Sequence, residues 1–225
     1  MDRVAVRGES RFIRIWLAPL VLLVVIAAMA GILFSFYNSW WVDPSRAPSS
    51  DQRAPDGTSV FTPTGVEYAT ATGLVIIRVG GDALDAEALG LDDDAVRTVD
   101  PEVPVQVRIL GTDAALVLEL VDAVSVTTVD GAIARVDIVP WGSGQYREYS
   151  ALLESRADTI GWTVDDLTKL ESDLSAAQRV SDDGTYSAQL PPSRNIGAEV
   201  TALLSVDLES AHTSLVITVE PLSAG

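Results

Sequence analysis

The chain of 225 residues contains no cysteine, only one lysine and only one histidine. Disulfide bonds and every reaction that proceeds through a thiolate are therefore excluded. The histidine, His212, falls in an expected hairpin turn, and a single histidine cannot build a histidine-based zinc site. The lysine, Lys169, lies on an expected exposed helix face beside Asp165. Serine–histidine and serine–lysine catalysis are both disfavoured.

Charge is absent from residues 15–37, which form an apolar run of 23 residues. As a helix this run is roughly 34 Å long, slightly more than the hydrocarbon core of a bilayer of about 30 Å. The sequence therefore predicts a transmembrane helix at 15–37. This helix contains no ionisable residue of the kind that marks ion or proton pathways, so transport by this chain alone is disfavoured.

The residues that flank the run predict its orientation. Arginines at positions 3, 7, 11 and 14 precede the run, whereas two follow it at positions 46 and 53. The excess of positive charge places residues 1–14 in the cytoplasm as a short tail. We therefore predict a cell-membrane protein with a single span, a cytoplasmic N-terminus and an extracytoplasmic C-terminal domain.

A cleaved signal peptide is the alternative interpretation of the same segment. Ala28-Met29-Ala30 before Gly31 has the small-x-small pattern of a cleavage site. Cleavage there would leave the apolar residues 32–37 and two tryptophans at an exposed terminus. We therefore favour retention as a signal anchor.

Acidic residues dominate the part of the chain expected outside the membrane. From residue 66 onward there are 27 acidic and 9 basic side chains, a net charge of −18. Such a surface repels nucleic acid. The run Asp92-Asp93-Asp94 is either a calcium ligand set or a solvated acidic loop, and it lacks the spacing of a known calcium loop. We favour the solvated loop and predict no cofactor.

Two regions with different patterns follow the predicted helix. Residues 38–65 are rich in proline, serine and threonine, which predicts an extended stalk. Residues 66–225 alternate apolar and polar side chains, which predicts strands with one buried face. Asp130-Gly131 is the strongest hairpin signal. The predicted strands lie near 66–72, 74–79, 105–110, 114–121, 124–129, 132–139, 185–190, 198–209 and 213–220.

The periodicity becomes helical between about 147 and 179, where apolar residues recur every three or four positions. Thr163 and Asp166 form the pattern of a capping box, and Asp165 is four residues before Lys169, a favourable ion-pair spacing. We therefore predict an α+β protein: an N-terminal single transmembrane helix, then a mainly antiparallel β domain with an inserted two-helix hairpin.

The segment 157–170, Ala-Asp-Thr-Ile-Gly-Trp-Thr-Val-Asp-Asp-Leu-Thr-Lys-Leu, resembles the middle of lysin-motif modules. It equally resembles the turn of helix-turn-helix DNA binders. A lysin motif would imply binding to N-acetylglucosamine polymers of cell walls. The chain departs from that motif ahead of the first helix, where Ser150-Ala151-Leu152 stands in place of Gly-Asp-Thr.

An aromatic cluster overlaps this region and defines the candidate ligand site. Aromatic faces beside a few polar groups suit sugar rings, whereas the alternative is that the same side chains pack in the core. The candidate glycan contacts are Trp141, Tyr146, Arg147, Tyr149 and Trp162.

Together these features predict a membrane-anchored extracytoplasmic module that binds or assembles with an envelope protein. A cell-wall or glycan-binding module is one alternative. A carboxylate-based hydrolase is another, because two neighbouring carboxylates suffice for glycoside hydrolysis. We assign no catalytic residue and no metal ligand, and an enzyme is the less favoured class.

Overall fold

The computed structural model describes residues 47–81 and 83–222. The predicted cytoplasmic tail, the predicted transmembrane helix at 15–37 and the first part of the predicted stalk lie outside these residues. Within the described ranges, none of the helices combines the length and the apolar character that crossing a bilayer requires.

The described chain has the predicted α+β fold with a mainly antiparallel sheet. The sheet is open, and the described residues form three α-helices, one more than the predicted hairpin. A short 3-10 helix at Glu87–Leu89 precedes the second strand. The elements are α1 (Pro63–Thr72), β1 (Leu74–Arg78), β2 (Val96–Val99), β3 (Val105–Leu110), β4 (Ala115–Val129), β5 (Ala132–Pro140), α2 (Tyr146–Ile160), α3 (Val164–Val180), β6 (Thr185–Ser193), β7 (Ala198–Asp207) and β8 (His212–Pro221).

The strands lie in the order β1-β3-β4-β5-β8-β7-β6, and β2 pairs with the second half of β4. β1 runs parallel to β3, whereas the other pairs in the described chain are antiparallel. β4 and β5 join at Asp130 and Gly131, whose φ angles are 50° and 74°. Two positive φ angles are what a tight two-residue hairpin turn needs, so this predicted turn is confirmed.

Alternate residues of each strand fill one core. Val107 and Ile109 of β3, Ile138 of β5 and Ile217 of β8 are fully buried. Each helix of the hairpin buries one apolar face against this core, as the helical periodicity predicts. The buried helix residues are Tyr149, Leu153, Ala157 and Ile160 in α2, and Leu170 and Leu174 in α3.

The strand predicted at 66–72 is wrong, because these residues form α1. Thr62 caps the helix by accepting a hydrogen bond from the Gly65 backbone at 3.2 Å, and Pro63 occupies the first turn. Gly73 ends the helix with a φ of 67°. A capped N-terminus, proline in the first turn and a left-handed glycine at the end outweigh the alternation of β-branched residues.

The last part of the predicted stalk belongs to the folded domain. Ala54, Val60 and Phe61 are buried in the core. The Ser59 backbone N–H donates to the Ile76 carbonyl oxygen at 2.8 Å, and the Ser59 hydroxyl accepts from the Ile76 N–H at 2.9 Å. This segment therefore covers the outer edge of β1, and it belongs to the compact unit that begins at Pro48.

The two helices of the hairpin meet at Gly161, and α3 begins with the predicted capping box. The Thr163 hydroxyl accepts from the Asp166 N–H at 3.2 Å, and the Asp166 carboxylate accepts from the Thr163 N–H at 2.8 Å. The predicted ion pair from Asp165 to Lys169 is wrong, because Lys169 contacts Asp173, one turn later, at 2.5 Å.

Candidate functional site

The structure divides the five predicted glycan contacts into a buried pair and an exposed set. Tyr149 and Trp162 are each only 4% exposed. The Trp162 indole N–H donates to the Pro191 carbonyl oxygen at 2.9 Å, which ties the helical hairpin to β6. Gly142 lies against the Tyr149 ring, since a Cβ atom there would stand 3.0 Å from Cζ. Both side chains therefore hold the helical hairpin on the sheet and offer a ligand almost no surface.

Trp141, Tyr146 and Arg147 remain exposed. Trp141, 53% exposed, follows β5, and its backbone N–H donates to the Leu120 carbonyl oxygen at 3.0 Å. Tyr146, 37% exposed, begins α2, and its hydroxyl donates to Glu171 at 3.4 Å. Tyr146 thus belongs to the helical hairpin, whereas Trp141 belongs to the β4–β5 end of the sheet.

Tyr146 lines a cavity of about 410 Å³ that we call the helix cleft. The residues of α3 that line the cleft are spaced by three or four and so share one helix face. Tyr186 of β6 and Val206 of β7, which are cross-strand partners, form the opposite wall. The lining is Tyr146, Glu171, Leu174, Ser175, Gln178, Tyr186 and Val206.

The helix cleft carries a negative charge, and no positive charge from the described residues of its lining compensates it. Burial raises the pKa of the Tyr146 phenol, and the nearby negative charge of Glu171 raises it further. The phenol therefore stays protonated at neutral pH and acts as a hydrogen-bond donor to Glu171. Among the residues that the structure describes, no arginine or lysine lines the cleft.

A second concave surface lies on the side of β5, β8, β7 and β6 that faces away from the core; we call it the outer face. It encloses about 620 Å³. Cross-strand pairing arranges its residues in rows, from Leu203 opposite Val216, through Thr201 opposite Thr218, to Glu199 opposite Glu220. The outer face therefore changes from apolar at one end to acidic at the other.

Hydrogen bonds fix the polar side chains of the outer face. Arg135 donates to both carboxylate oxygens of Asp137 at 2.8 Å, and the Thr218 hydroxyl donates to Asp137 at 2.6 Å. Arg194 contacts Glu199 at 2.8 Å. Glu199 and Glu220 are directly opposite, an arrangement that like charges disfavour, and Arg194 compensates one of the two.

Sequence alternation assigns Arg135, Asp137 and Thr201 to solvent-facing positions of strands, but it does not indicate which strands become neighbours. β5 pairs with β8, a strand more than seventy residues later in the chain. Nothing local in the sequence predicts that pairing. The sequence therefore does not reveal the outer face, nor the roles of Glu171 and Tyr186 in the helix cleft.

The acidic run 92–94 supports a turn. Asp93 accepts a hydrogen bond from the Gly131 N–H, and Asp94 accepts one from the Asp130 N–H at 3.1 Å. Thr128 donates to the Asp92 carbonyl oxygen at 2.6 Å. Across residues 47–81 and 83–222, no cluster of three acidic or histidine side chains is arranged to hold a metal ion.

A hydrolase that uses two carboxylates would show neighbouring buried acids in a pocket. In the part of the chain that the structure describes, the buried polar side chains are threonine and serine, without any aspartate or glutamate. The acids of the outer face are partly exposed, and arginine or threonine holds Asp137 and Glu199. The geometry does not favour this hydrolase.

Comparison with known proteins gives no relative from which to infer a function. No family model, no curated protein and no solved structure matches the chain.

Proposed function

We propose that this protein is a single-pass, membrane-anchored binding or assembly module that presents its β-rich domain outside the cell membrane and binds an envelope protein through the outer face. The single observation that carries the binding proposal is the outer face itself. It is a concave surface built on four strands, and its polar groups are already fixed by hydrogen bonds. A surface organised in this way loses little side-chain freedom on binding.

The composition of the outer face indicates the chemistry of the partner. Among the described residues, its lining contains Asp137, Glu199, Glu220 and one basic residue, Arg135, which pairs with Asp137. Arg194 pairs with Glu199 from beside the lining, so one negative charge remains in excess at this end. Leu203, 41% exposed, supplies apolar area at the other end. A partner segment with a basic end and an apolar end is complementary to this surface.

Photocrosslinking in native membranes tests the outer face. A photoreactive amino acid replaces Thr201 in the full-length chain, and in a matched control it replaces Thr168, an exposed threonine of α3 outside the outer face. We expect one discrete adduct from position 201, whose protein partner also co-purifies with the full-length chain in mild detergent. Thr201→Arg should abolish that co-purification, whereas Thr168→Arg should preserve it. Identical adducts from both positions, or none from position 201, would refute the proposal.

The membrane topology has its own test. Protease added to intact cells should degrade the acidic domain while sparing a fragment that contains residues 15–37. N-terminal sequencing should show a chain that does not begin at Gly31. A domain protected from external protease would contradict the orientation, and a product starting at Gly31 would contradict the anchor.

A cell-wall or glycan-binding module is the second candidate, because Trp141 presents an exposed indole at the end of β5. Insoluble cell-wall material should retain the full-length chain in detergent, and Trp141→Ala should abolish the retention without changing the thermal unfolding midpoint. Tyr68→Leu, on α1 and outside both concave surfaces, serves as the control for aromatic loss elsewhere. Absence of retention at both low and moderate salt would eliminate this candidate.

A further inference from the structure

The helix cleft combines a carboxylate, two phenol rings and aliphatic side chains in one lining. Glu171 and Leu174 are three residues apart on α3, so a carboxylate stands beside an aliphatic floor. Tyr186 is half-buried on the facing strand, and Tyr146 closes the cleft from the start of α2. A ligand in the cleft therefore meets two phenol rings, one carboxylate and two aliphatic side chains.

The charge around the cleft favours a cation. Among the described residues, Glu171 is the only charged one in its lining, and Glu154 adds negative potential at Tyr146. The domain as a whole carries an excess of acidic side chains. Aromatic faces attract cations through their quadrupole, and a carboxylate forms charge-assisted hydrogen bonds with guanidinium and ammonium groups.

We propose that the helix cleft binds an organic cation on an aliphatic stem, a guanidinium or an ammonium, in which Glu171 pairs with the charge while Tyr146 and Tyr186 flank it. Leu174 and Val206 contact the stem. Such a group is supplied either by an arginine or lysine side chain of a protein or by a small free amine. The inference does not depend on the outer face, with which the cleft shares no lining residue among those described.

In the proposed complex, the aliphatic stem of the ligand contacts apolar side chains, and its charged group contacts Glu171. Arginine and lysine side chains cover apolar surface with their methylene groups while the charged end contacts polar partners. A cavity of about 410 Å³ is within the range of small-ligand sites. A neutral sugar can also donate hydrogen bonds to Glu171, so the comparison of a charged ligand with its neutral isostere is what separates a cation from a glycan.

Calorimetric titration of the full-length chain in non-ionic detergent tests the proposal with defined probes. The probes are arginine blocked at both termini, butylguanidine and blocked citrulline, which is the neutral isostere of blocked arginine. We expect saturable binding of a guanidinium probe and about tenfold weaker binding of blocked citrulline. Binding of both guanidinium probes indicates a protein side chain as the natural ligand, whereas binding of butylguanidine alone indicates a free small cation.

Two substitutions assign the binding to the cleft. Glu171→Gln should weaken guanidinium binding about tenfold, because it removes the charge and keeps the size of the side chain. Glu102→Gln, an exposed glutamate outside the cleft, changes the net charge equally and should leave the affinity within about twofold. Tyr186→Leu should also weaken binding. Equal effects of the two glutamine substitutions, saturable binding of blocked citrulline as tight as that of blocked arginine, or no saturable binding of either guanidinium probe would overturn the proposal.

Discussion

Four aromatic residues, Trp141, Tyr146, Tyr149 and Trp162, lie within 22 positions of one another, yet two are exposed and two are buried. Tyr146 and Tyr149 belong to the same helix and differ by three positions. The two therefore share one helix face, but Tyr149 packs in the core with Leu153 and Ile160, whereas Tyr146, the first residue of the helix, lies at the rim of the cleft. Composition therefore marks an aromatic region, but the position of each residue along its helix or loop decides which of them a ligand can reach.

The largest expected effect is a difference in stability between variants that lack one or the other tryptophan. Trp162→Ala should lower the free energy of unfolding by about 3 to 5 kcal/mol, because it leaves a cavity and removes the hydrogen bond to Pro191. Trp141→Ala is the matched control and should change it by less than about 0.5 kcal/mol, because half of that side chain is already in solvent. Urea denaturation of both variants measures the difference. Similar losses of unfolding free energy in both variants would contradict the distinction between two buried, packing aromatic residues and two exposed ones.

A smaller loss of stability is expected from a substitution in the loop between Trp141 and Tyr146. Gly144 has a φ of 79°, and a Cβ atom there would overlap the His212 ring. Gly144→Ala should therefore cost about 2 to 3 kcal/mol, from backbone strain and from crowding. Thermal unfolding measures this change.

Gly131 provides the control for Gly144. Its φ is 74°, but a Cβ atom at that position would have no neighbouring atom within 4 Å, so Gly131→Ala should cost only about 1 kcal/mol. In a double variant, His212→Ala should restore the share of the unfolding free energy that Gly144→Ala loses through contact with the His212 ring. If the two glycine variants are equally destabilised, contact with His212 does not fix this loop.

The smallest expected effect is a loss of stability at alkaline pH that depends on Tyr149. Burial raises the pKa of the Tyr149 phenol, and the negative charges of Glu148 and Asp122 add to the shift. Because the folded-state pKa exceeds the unfolded value of about 10, this contribution to stability is complete below about pH 10 and is lost as pH rises through the folded-state pKa. The free energy of unfolding should therefore fall above about pH 10, and less steeply in Tyr149→Phe. Parallel curves for the two proteins would contradict this origin.

The sequence predicts the local structure best where one signal dominates. The Asp130-Gly131 turn, the capping box at Thr163 and the two-helix hairpin are all present. Each depends on residues close together in the chain, where turn chemistry and helix capping act. The strands predicted at 114–121 and 124–129 are a single strand, β4, since its irregular pairing near Val121 interrupts the alternation without ending the strand.

Long-range pairing explains most of what the sequence does not show. β2 lies at residues just after the acidic run, where no strand is predicted, and it becomes a strand by pairing with β4. Both concave surfaces are assembled from elements that are distant in the chain, such as β5 with β8 and α2 with β6. The residue types are visible in the sequence, but their juxtaposition is a product of tertiary structure.

The attachment of Ser59 to Ile76 has a mechanical consequence. Tension that enters the domain through Pro48 meets this pair of hydrogen bonds and the packing of Val60 and Phe61 before it reaches a sheet strand. Both concave surfaces are built from elements after residue 130, so the hydrogen bonds of Ser59 take up the force before these surfaces do. Pulling on the N-terminal side of the domain should release the segment around Ser59 while the shape of the helix cleft and the outer face persists.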